Sequence, residues 1–567
     1  MLKVLAVIPA RGGSKSIPRK NMRLLAGKPL IYYILTTALR SKLITDVVVT
    51  SDDDDILRYA SQFGVITRKR PAYLAEDTVT LDPVVNDALD FANALGGTEY
   101  DLVVTLQPTS PLLRSETLDC AIETLIQQNL DTIISVVDDT HLMWKKMGDQ
   151  VVPDYDQRLN RQWLPKKYRE TGAFVVTRSM FVTAESRLGN RISVYCVSED
   201  ERVDIDSPTD WLVCESLLRT LTIAIVVNGN STIGLGHIYR AITVADAFLG
   251  HRVRFYTYES EEAAIHLVRQ HGYDIEEVDS ENLINRIKYF HPDIVINDIL
   301  DTSPIYIRQL KNIGTFVVNF EDLGDGAADA NLIFNDLYEL ADPPPTHRFG
   351  HKYFCLSSHF MIEPPSVFRV PARRLLITFG GIDQNNLTLR VVSIVPRILR
   401  DTSIEKVVVV VGPAFGARAR LREMIDELHP DVKQRIEVFE SVGNMAALMR
   451  NADIAVTSNG RTVYELAAVG VPTVSIAQND RETLHLFARY HRGVRYLGVA
   501  CTVTTGDILR SVLEICSDDS LRKKMYDAQI GVDLKSGLRR VIYEIVQEYW
   551  RWKDARNSNR EKEDHQG

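Results

Sequence analysis

A loop rich in glycine and positive charge follows the first apolar run of the chain, Val4–Ile8. Its candidate ligands are Arg11, Gly12, Gly13, Ser14, Lys15, Lys20 and Asn21. Adjacent glycines let backbone N–H groups approach an anion closely, and the cations place fixed positive charge beside them. α/β proteins hold polyphosphates in this way at the carboxyl end of a strand. We therefore expect the triphosphate of a nucleotide here; a solvated basic loop is the alternative.

Two carboxylates are spaced for a shared cation in Val203-Asp204-Ile205-Asp206-Ser207-Pro208. Residues two apart on an extended chain face the same side, so Asp204 and Asp206 can direct oxygens at one ion. Mg²⁺ prefers carboxylate and phosphate oxygens. Together with the phosphate loop, the pair predicts a magnesium site. Alone, it would equally be a pair of surface aspartates before a turn.

Hydrogen-bonding side chains follow another apolar run, Leu102–Leu106. The segment Gln107-Pro108-Thr109-Ser110-Pro111 comes first, and the cation Arg114 lies three residues beyond it. Taken alone this segment is only a turn signal. Because open α/β sheets bind ligands beyond the carboxyl ends of their strands, we expect Gln107 and Arg114 to line the same cleft as the phosphate loop.

A histidine follows two glycines in Gly234-Leu235-Gly236-His237, shortly after a new apolar run, Leu221–Val227. The positive end of a helix dipole keeps a histidine at a helix start neutral, which suits His237 to act as a base. A histidine that merely caps the helix is the alternative.

Two later loops carry groups that suit a nucleotide sugar. Gly380, Gly381 and Asp383 follow an apolar run and can surround a diphosphate. The other candidate ligands lie at a predicted helix start: Ser458, Gly460, Thr462 and Glu465. The carboxylate of Glu465 can accept both hydroxyls of a ribose, or serve only as a partner of the helix dipole.

These groups require an α/β architecture to position them. From Val4 to about Leu221, β-like runs alternate with helical patterns, which predicts a mostly parallel sheet covered by helices. The polar segment 141–169 predicts a protruding insertion. A second series of strands and helices begins near Leu221, and a third follows a proline-bearing linker over 357–374. The predicted domains are 1–220, 221–365 and 366–550, followed by a polar tail over 551–567 that we expect to be disordered.

Composition excludes several classes of protein. Of the 567 residues, 45% are hydrophobic and 25% charged, which is typical of a globular protein. The net charge of −9 argues against a nucleic-acid-binding protein. No apolar stretch is long enough to span a membrane, and nothing near the N-terminus is typical of a signal peptide. We therefore expect a cytoplasmic protein with neither nucleic-acid nor membrane partners.

Several motifs, in order over about the first 215 residues, resemble the CMP-sialic acid synthetase family (acylneuraminate cytidylyltransferases). They are Ala10-Arg11-Gly12-Gly13-Ser14-Lys15, Lys20-Asn21, Gly27-Lys28-Pro29-Leu30, Gln107-Pro108-Thr109-Ser110-Pro111 and Asp204-Ile205-Asp206. The resemblance implies a Rossmann-like nucleotidyltransferase domain that transfers CMP from CTP to a nine-carbon 2-keto sugar acid. It assigns CTP and its phosphates to Arg11, Lys15, Lys20 and Asn21, and Mg²⁺ to Asp204 and Asp206. The rest of the expected cleft is Arg70, Thr80, Gln107, Arg114, Thr171 and Gly172.

The remaining loops, over about 221–540, resemble the UDP-sugar hydrolases of the pseudaminic acid pathway and their spore-coat glycosyltransferase-like relatives. The resemblance implies a two-Rossmann-domain fold of the glycosyltransferase-B type, with UDP held by the C-terminal half. His237 would then activate water for attack on the sugar. The family's Asp-x-Tyr is replaced here by Asn297-Asp298-Ile299, so a glycosyltransferase and a regulatory nucleotide-sugar-binding module remain alternatives.

Both halves fit one biosynthetic logic. Freeing an amino sugar from UDP is an early step toward a nonulosonic acid, and CMP activation is the last. We therefore predict a bifunctional enzyme of nonulosonic acid production, of the sialic, legionaminic or pseudaminic type. We expect it to form a homodimer through the insertion at 140–170.

Overall fold

The chain forms two compact units, Met1–Thr220 and Leu221–Gly567, in a computed structural model. The structure describes residues 2–13, 16–76, 78–97, 99–230, 233–381, 383–412, 415–440 and 442–564, with side chains up to residue 556. No helix in these ranges is both long and apolar enough to cross a membrane.

In the part of the first unit that the structure describes, seven strands form one sheet with helices on both faces, and four short strands form two separate pairs. The strands are β1 Val4–Pro9, β2 Leu24–Leu25, β3 Lys28–Pro29, β4 Asp46–Ser51, β5 Ile66–Lys69, β6 Leu102–Leu106, β7 Thr132–Asp138, β8 Trp144–Met147, β9 Gln150–Pro153, β10 Tyr168–Arg178 and β11 Ile192–Cys196. The helices are α1 Leu30–Arg40, α2 Asp54–Ser61, α3 Leu81–Gly96, α4 Ser115–Gln127 and α5 Pro208–Leu218.

The strand order, β11-β7-β10-β6-β1-β4-β5, places the predicted loops together. β1 lies between β4 and β6 and is parallel to both, so the loops after these three strands share one edge of the sheet. β10 is antiparallel to β6, which brings the start of β10 to the same edge. The pair β8 and β9 forms a separate antiparallel hairpin.

The second unit contains two parallel sheets. The N-terminal half has the strands β12 Thr222–Val227, β13 Arg252–Thr257, β14 Ile275–Glu277, β15 Ile294–Asp298, β16 Phe316–Phe320, β17 Leu332–Asn335 and β18 His347–Phe349. The C-terminal half has β19 Arg374–Thr378, β20 Lys406–Val411, β21 Ile436–Glu440, β22 Ile454–Ser458, β23 Thr473–Ala477 and β24 Val494–Val499. Their orders, β14-β13-β12-β15-β16-β17-β18 and β21-β20-β19-β22-β23-β24, are both doubly wound. The predicted α/β class, with two Rossmann-like halves after the first domain, is confirmed.

Helices cover both sheets of the second unit. Those of the N-terminal half are α6 Gly236–Ala247, α7 Glu262–Gln270, α8 Leu283–Phe290, α9 Pro304–Asn312 and α10 Ser358–Ile362. Those of the C-terminal half are α11 Leu387–Val392, α12 Val395–Asp401, α13 Arg418–Asp426, α14 Pro430–Lys433, α15 Met445–Arg450, α16 Thr462–Ala468, α17 Asp480–Thr483, α18 Phe487–Tyr490, α19 Thr505–Ser517, α20 Asp519–Ile530 and α21 Gly537–Asp564.

The last helix, α21, differs from the disordered tail predicted from residue 551, because it continues to Asp564. Aliphatic side chains, Val541 and Ile545, anchor its first half, and aromatic side chains continue the contact beyond residue 548. Trp552 packs edge-on against Phe316 of the N-terminal half, and the Arg556 guanidinium donates a hydrogen bond to the Gly314 carbonyl. The helix therefore returns from the C-terminal half to the N-terminal sheet, and only residues 565–567 of the predicted tail lie outside the described residues.

Candidate active sites

The glycine loop after β1 is held against the end of β4. The Gly12 N–H donates to Asp52 Oδ1 at 2.8 Å. A Cβ on Gly12 would lie 2.8 Å from Asp53 Cβ, so only glycine fits without a shift of the backbone. Asn21 Nδ2 donates to the Arg11 carbonyl at 2.9 Å, which ties the two ends of the loop together. Two further predicted ligands lie outside the described residues: Ser14 and Lys15.

Two other predicted nucleotide ligands of the first unit are Arg70 and Thr80. Arg70 is buried, and its Nη2 donates to the Thr50 carbonyl at 2.9 Å. Burial lowers the pKa of Arg70, Asp52 opposes that effect, and the charge of Arg11 adds to it. Arg70 and Arg11 therefore lie within electrostatic reach of each other beside the loop. Thr80 immediately precedes α3, and its side chain makes no capping hydrogen bond to that helix.

The segment that carries the predicted metal ligands Asp204 and Asp206 contacts Lys20. Ile205 is fully buried, and α5 begins directly after the pair at a Ser207–Asp210 capping box. Lys20 Nζ donates to the Ile205 carbonyl at 2.7 Å and lies 3.6 Å from Asp206 Oδ1. The side chain of Asp206 is 78% exposed. This geometry places a cation and a solvent-facing carboxylate together.

Asp204, the other member of the pair, has a buried carboxylate oxygen that lacks a hydrogen-bond partner among the described residues. It is largely buried, and burial raises the pKa of its carboxyl group. Among the described residues its Oδ1 has no hydrogen-bond partner. A buried oxygen without a donor is costly unless a cation or water satisfies it. The donor set therefore fits Mg²⁺. Since no three His, Cys, Asp or Glu side chains converge in the described ranges, the ion would also need oxygens of substrate phosphates or water.

Two of the residues predicted for the cleft, Gln107 and Gly172, lie close to Asp204. Gly172 has φ +71°, and a Cβ there would lie 3.1 Å from Gln107 Nε2 and 3.3 Å from Asp204 Oδ2. The Ile205 N–H donates to the Thr109 carbonyl at 2.8 Å, which fixes the acidic segment against the loop after β6. Gln107, Gly172 and Asp204 therefore surround one small space.

Two predicted substrate ligands are not brought to this space. Thr171 is 1% exposed, and its hydroxyl hydrogen-bonds to the Ser135 hydroxyl at 2.9 Å inside the sheet. Arg114 pairs with the exposed carboxylate of Asp200. Thr171 thus has a structural role, because the β-bulge in β10 turns its side chain inward.

In the second unit, a carboxylate residue lies at the carboxyl end of each of three neighbouring strands. Asp298 is the last residue of β15, Glu321 follows β16 and Asp336 follows β17. All three contact Arg240 of α6, which is 1% exposed. Arg240 Nε lies 2.8 Å from Asp298 Oδ2. Sequence reasoning missed this cluster, although an acidic residue directly after each of three apolar runs was a usable signal.

His237 is joined to the same cluster. Its Nδ1 lies 2.5 Å from Asp298 Oδ1, and its Nε2 lies 3.7 Å from Glu321 Oε2. Burial alone would raise the pKa of Asp298, but Arg240 and His237 lower it below its ordinary value. Asp298 is therefore an anion beside Nδ1. In the tautomer that carries its proton on Nδ1, the Nε2 lone pair is available to take a proton.

In the predicted diphosphate loop, two glycines have free space beside them, and the one carboxylate is hydrogen-bonded within the protein. A Cβ on Gly380 or Gly381 would meet nothing within 4 Å. Asp383 instead accepts hydrogen bonds from the Leu387 N–H at 2.9 Å and the Thr388 N–H at 2.8 Å. Its carboxylate therefore holds the start of α11, and its predicted role as a nucleotide ligand is not favoured by this geometry.

The other predicted nucleotide ligands lie at the junction of β22 and α16. Ser458 ends β22, and Thr462 begins α16. A Cβ on Gly460 would lie 3.4 Å from Glu482 Oε1. Burial raises the pKa of Glu465, and Arg461 opposes that effect. Glu465 also raises the pKa of Tyr239 on α6, after the larger effect of burial, so it faces the N-terminal half.

Comparisons with known proteins match the first unit to cytidylyltransferases. Residues 5–229 match a family model described as Cytidylyltransferase. A CMP-N,N'-diacetyllegionaminic acid synthase from Legionella pneumophila is 33% identical over 232 residues, which cover 38% of this chain and 97% of that protein. An N-acylneuraminate cytidylyltransferase from Oncorhynchus mykiss is 35% identical over 222 residues, 37% of this chain. The chain spans about half (49%) of that relative's length.

The solved structures include a match for the remainder. The crystal structure of Acinetobacter baumannii MurG aligns with 58% of this chain and 99% of that protein, at 14% identity and a TM-score of 0.43.

Proposed function

This chain belongs to the cytidylyltransferase family through its first unit, and on that premise we propose that it transfers CMP from CTP to the anomeric hydroxyl of a nine-carbon 2-keto sugar acid. The hydroxyl oxygen bonds to the α-phosphorus, the bond from that phosphorus to the β-phosphate oxygen breaks, and pyrophosphate leaves. The observation that supports this most is the convergence of Lys20, Gln107, Gly172, Asp204 and Asp206 at one edge of the sheet.

Each group at this edge has a defined part in the proposed reaction. Asp204 and Asp206 would hold Mg²⁺, which neutralises phosphate charge and acidifies the attacking hydroxyl when it is bound. Lys20, fixed by the Ile205 carbonyl, and Arg11 stabilise the charge that develops on departing pyrophosphate. Arg70 and the loop amide of Gly13 orient the nucleotide, and Gly12, whose N–H is bonded to Asp52, holds the loop in place. The relatives' names support an acceptor of the sialic, legionaminic or pseudaminic type.

Substitution of Asp206 by Asn tests this assignment. We expect Asp206→Asn to reduce pyrophosphate release from CTP and a nonulosonic acid by about 10²-fold or more. Glu199→Gln is the matched control, because Glu199 is an exposed carboxylate on the same approach to α5 and pairs with Arg202. Unchanged Mg²⁺-dependent activity of Asp206→Asn would remove the pair from the mechanism.

For the second unit, we propose hydrolysis of a UDP-linked amino sugar. The Asp298–His237 pair supports it, because an oriented neutral imidazole can take a proton from water. The water oxygen then bonds to the anomeric carbon, the bond from that carbon to the phosphate oxygen breaks, and UDP leaves. The proposed UDP contacts are Gly380, Gly381, Ser458, Gly460, Thr462 and Glu465. Glycosyl transfer from the same bound nucleotide sugar is the alternative.

Release of UDP by the full chain distinguishes hydrolysis from glycosyl transfer. With a panel of UDP-amino sugars and no acceptor, the hydrolase proposal predicts UDP release that His237→Gln abolishes. His429→Gln is the control, since His429 is exposed. Release only when an acceptor sugar is added would favour the transferase, and undiminished release by His237→Gln would exclude His237.

A further inference from the structure

Asp336 joins the two halves of the second unit through two arginines. The residue is fully buried directly after β17. Arg240 Nη1, from α6 of the N-terminal half, lies 3.2 Å from its Oδ1. Arg461 Nη1, from the residue before α16 of the C-terminal half, lies 3.4 Å from its Oδ2. Each oxygen of this carboxylate thus faces a cation from a different half.

Arg461 is held in the N-terminal half by more than this ion pair. Its Nη2 donates to the Cys355 carbonyl at 2.8 Å, and its guanidinium lies over the Phe354 ring at 4.3 Å from the centroid. A Cβ on Gly236 would lie 3.5 Å from Arg461 Cδ, so the side chain passes beside the first residue of α6. These contacts attach the start of α16 to the N-terminal half.

The charge balance of the cluster depends on Arg461. Asp298, Glu321 and Asp336 bring three carboxylates to Arg240. Burial raises the pKa of Asp336, Arg240 and Arg461 oppose the rise, and Glu321 and Asp298 add to it. Without Arg461, Arg240 would be the remaining ion-pair partner of Asp336 among these residues. Arg240 also binds Asp298 through its Nε and Nη2. Because Asp298 orients His237, a displaced Arg240 would disturb the imidazole as well.

We infer that Arg461, from the C-terminal half, and Asp336, from the N-terminal half, are positioning residues whose ion pair holds Arg240, and through it Asp298 and His237, in the orientation needed for catalysis. This inference rests on the proposed hydrolysis and adds to it a contribution from the C-terminal half. Neither residue touches the reacting atoms; both act through Arg240 and Asp298.

A double-mutant cycle on UDP release tests this coupling. We expect Arg461→Gln and Asp336→Asn each to lower kcat about 10- to 100-fold with KM changed less than about threefold, and the double variant to be no slower than the slower single variant. Arg461→Lys should recover part of kcat. Arg481→Gln is the matched control. Arg481 also crosses between the halves, but it binds Asp301 and the Glu321 carbonyl rather than Asp336, so its effect should multiply with that of Asp336→Asn.

Two outcomes of the cycle would overturn the inference: effects of Arg461→Gln and Asp336→Asn that multiply, or a rise in KM alone for Arg461→Gln. If the wild type releases no UDP from any nucleotide sugar, the proposed hydrolysis fails, and the coupling is read from thermal unfolding instead. Arg461→Gln and Asp298→Asn should then shift the unfolding midpoint non-additively, and this coupling should vanish in an Asp336→Asn background. Additive shifts would contradict the positioning role.

Discussion

At the scale of single residues, burial and charge oppose each other at Asp204. Its carboxyl group has a raised pKa because it is buried, and its Oδ1 has no hydrogen-bond partner among the described residues. A raised pKa means that the folded state favours the protonated form. The contribution of Asp204 to stability is thus fully present below its unfolded pKa and lost as pH rises through the folded value. At neutral pH the group is held at a cost that a bound cation would offset.

Replacing Asp204 by Asn should therefore move stability and activity in opposite directions. In metal-free buffer at pH 7, we expect Asp204→Asn to unfold at a higher temperature than the wild type, with the difference shrinking toward pH 4. Its CMP transfer should fall by about 10²-fold or more. Calorimetry across this pH range, beside a pyrophosphate assay, checks both. A lower unfolding temperature at pH 7 would show that the ionised carboxylate is stabilising.

Single residues also show where sequence reasoning stopped. The spacing of Asp204 and Asp206 predicted a shared orientation, because a period of two holds on an extended segment; the structure buries Asp204 Oδ1 and exposes Asp206, so the shared metal site stays a prediction. Thr171 and Asp383 were predicted as ligands, yet Ser135 and the start of α11 use their side chains. Arg240 and Asp336 were missed. Residue types reveal which groups can bind a ligand, but tertiary packing decides which of them are already hydrogen-bonded within the protein.

At the scale of elements, the loop after β1 depends on close approach to the end of β4. A Cβ at Gly12 would lie 2.8 Å from Asp53 Oδ2, whereas one at Gly13 would meet nothing within 4 Å. The strands that carry these loops were predictable, since buried parallel strands are continuous apolar runs. β5 was not, because it has four residues and a single aliphatic one, and the hairpin of β8 and β9 was not, because its residues are largely exposed.

The two neighbouring glycines give a matched pair of variants. We expect Gly12→Ala to raise the KM for CTP about tenfold, because the loop must move away from Asp53, and Gly13→Ala to change it less than about twofold. Steady-state kinetics with varied CTP measures both. Equal effects of the two substitutions would show that contact with the end of β4 does not position the loop.

At the scale of the whole molecule, the exposed hairpin bears on assembly. Trp144, Met147 and Val151 are each more than half exposed, as is Trp163 just beyond the hairpin. Large apolar side chains clustered on a protruding segment are typical of a subunit contact. The dimer through residues 140–170 was predicted from the polarity of this segment, and the exposed apolar side chains support it.

A charge on the hairpin should disrupt such a dimer. We expect Val151→Asp to shift the protein from dimer to monomer in light scattering coupled to size-exclusion chromatography. Leu249→Asp is the control, because Leu249 is an isolated residue that is almost fully exposed in the second unit. A wild type that is monomeric, or a dimer that Val151→Asp leaves intact, would contradict the predicted contact.

The most direct test of the central claim is the mass of the product that the full chain forms from CTP and Mg²⁺ with sialic, legionaminic and pseudaminic acids. The account predicts a CMP ester of at least one of them, formed together with an equal amount of pyrophosphate and absent with Asp206→Asn. Failure to form a CMP ester from any of the three, or equal formation by Asp206→Asn, would contradict it.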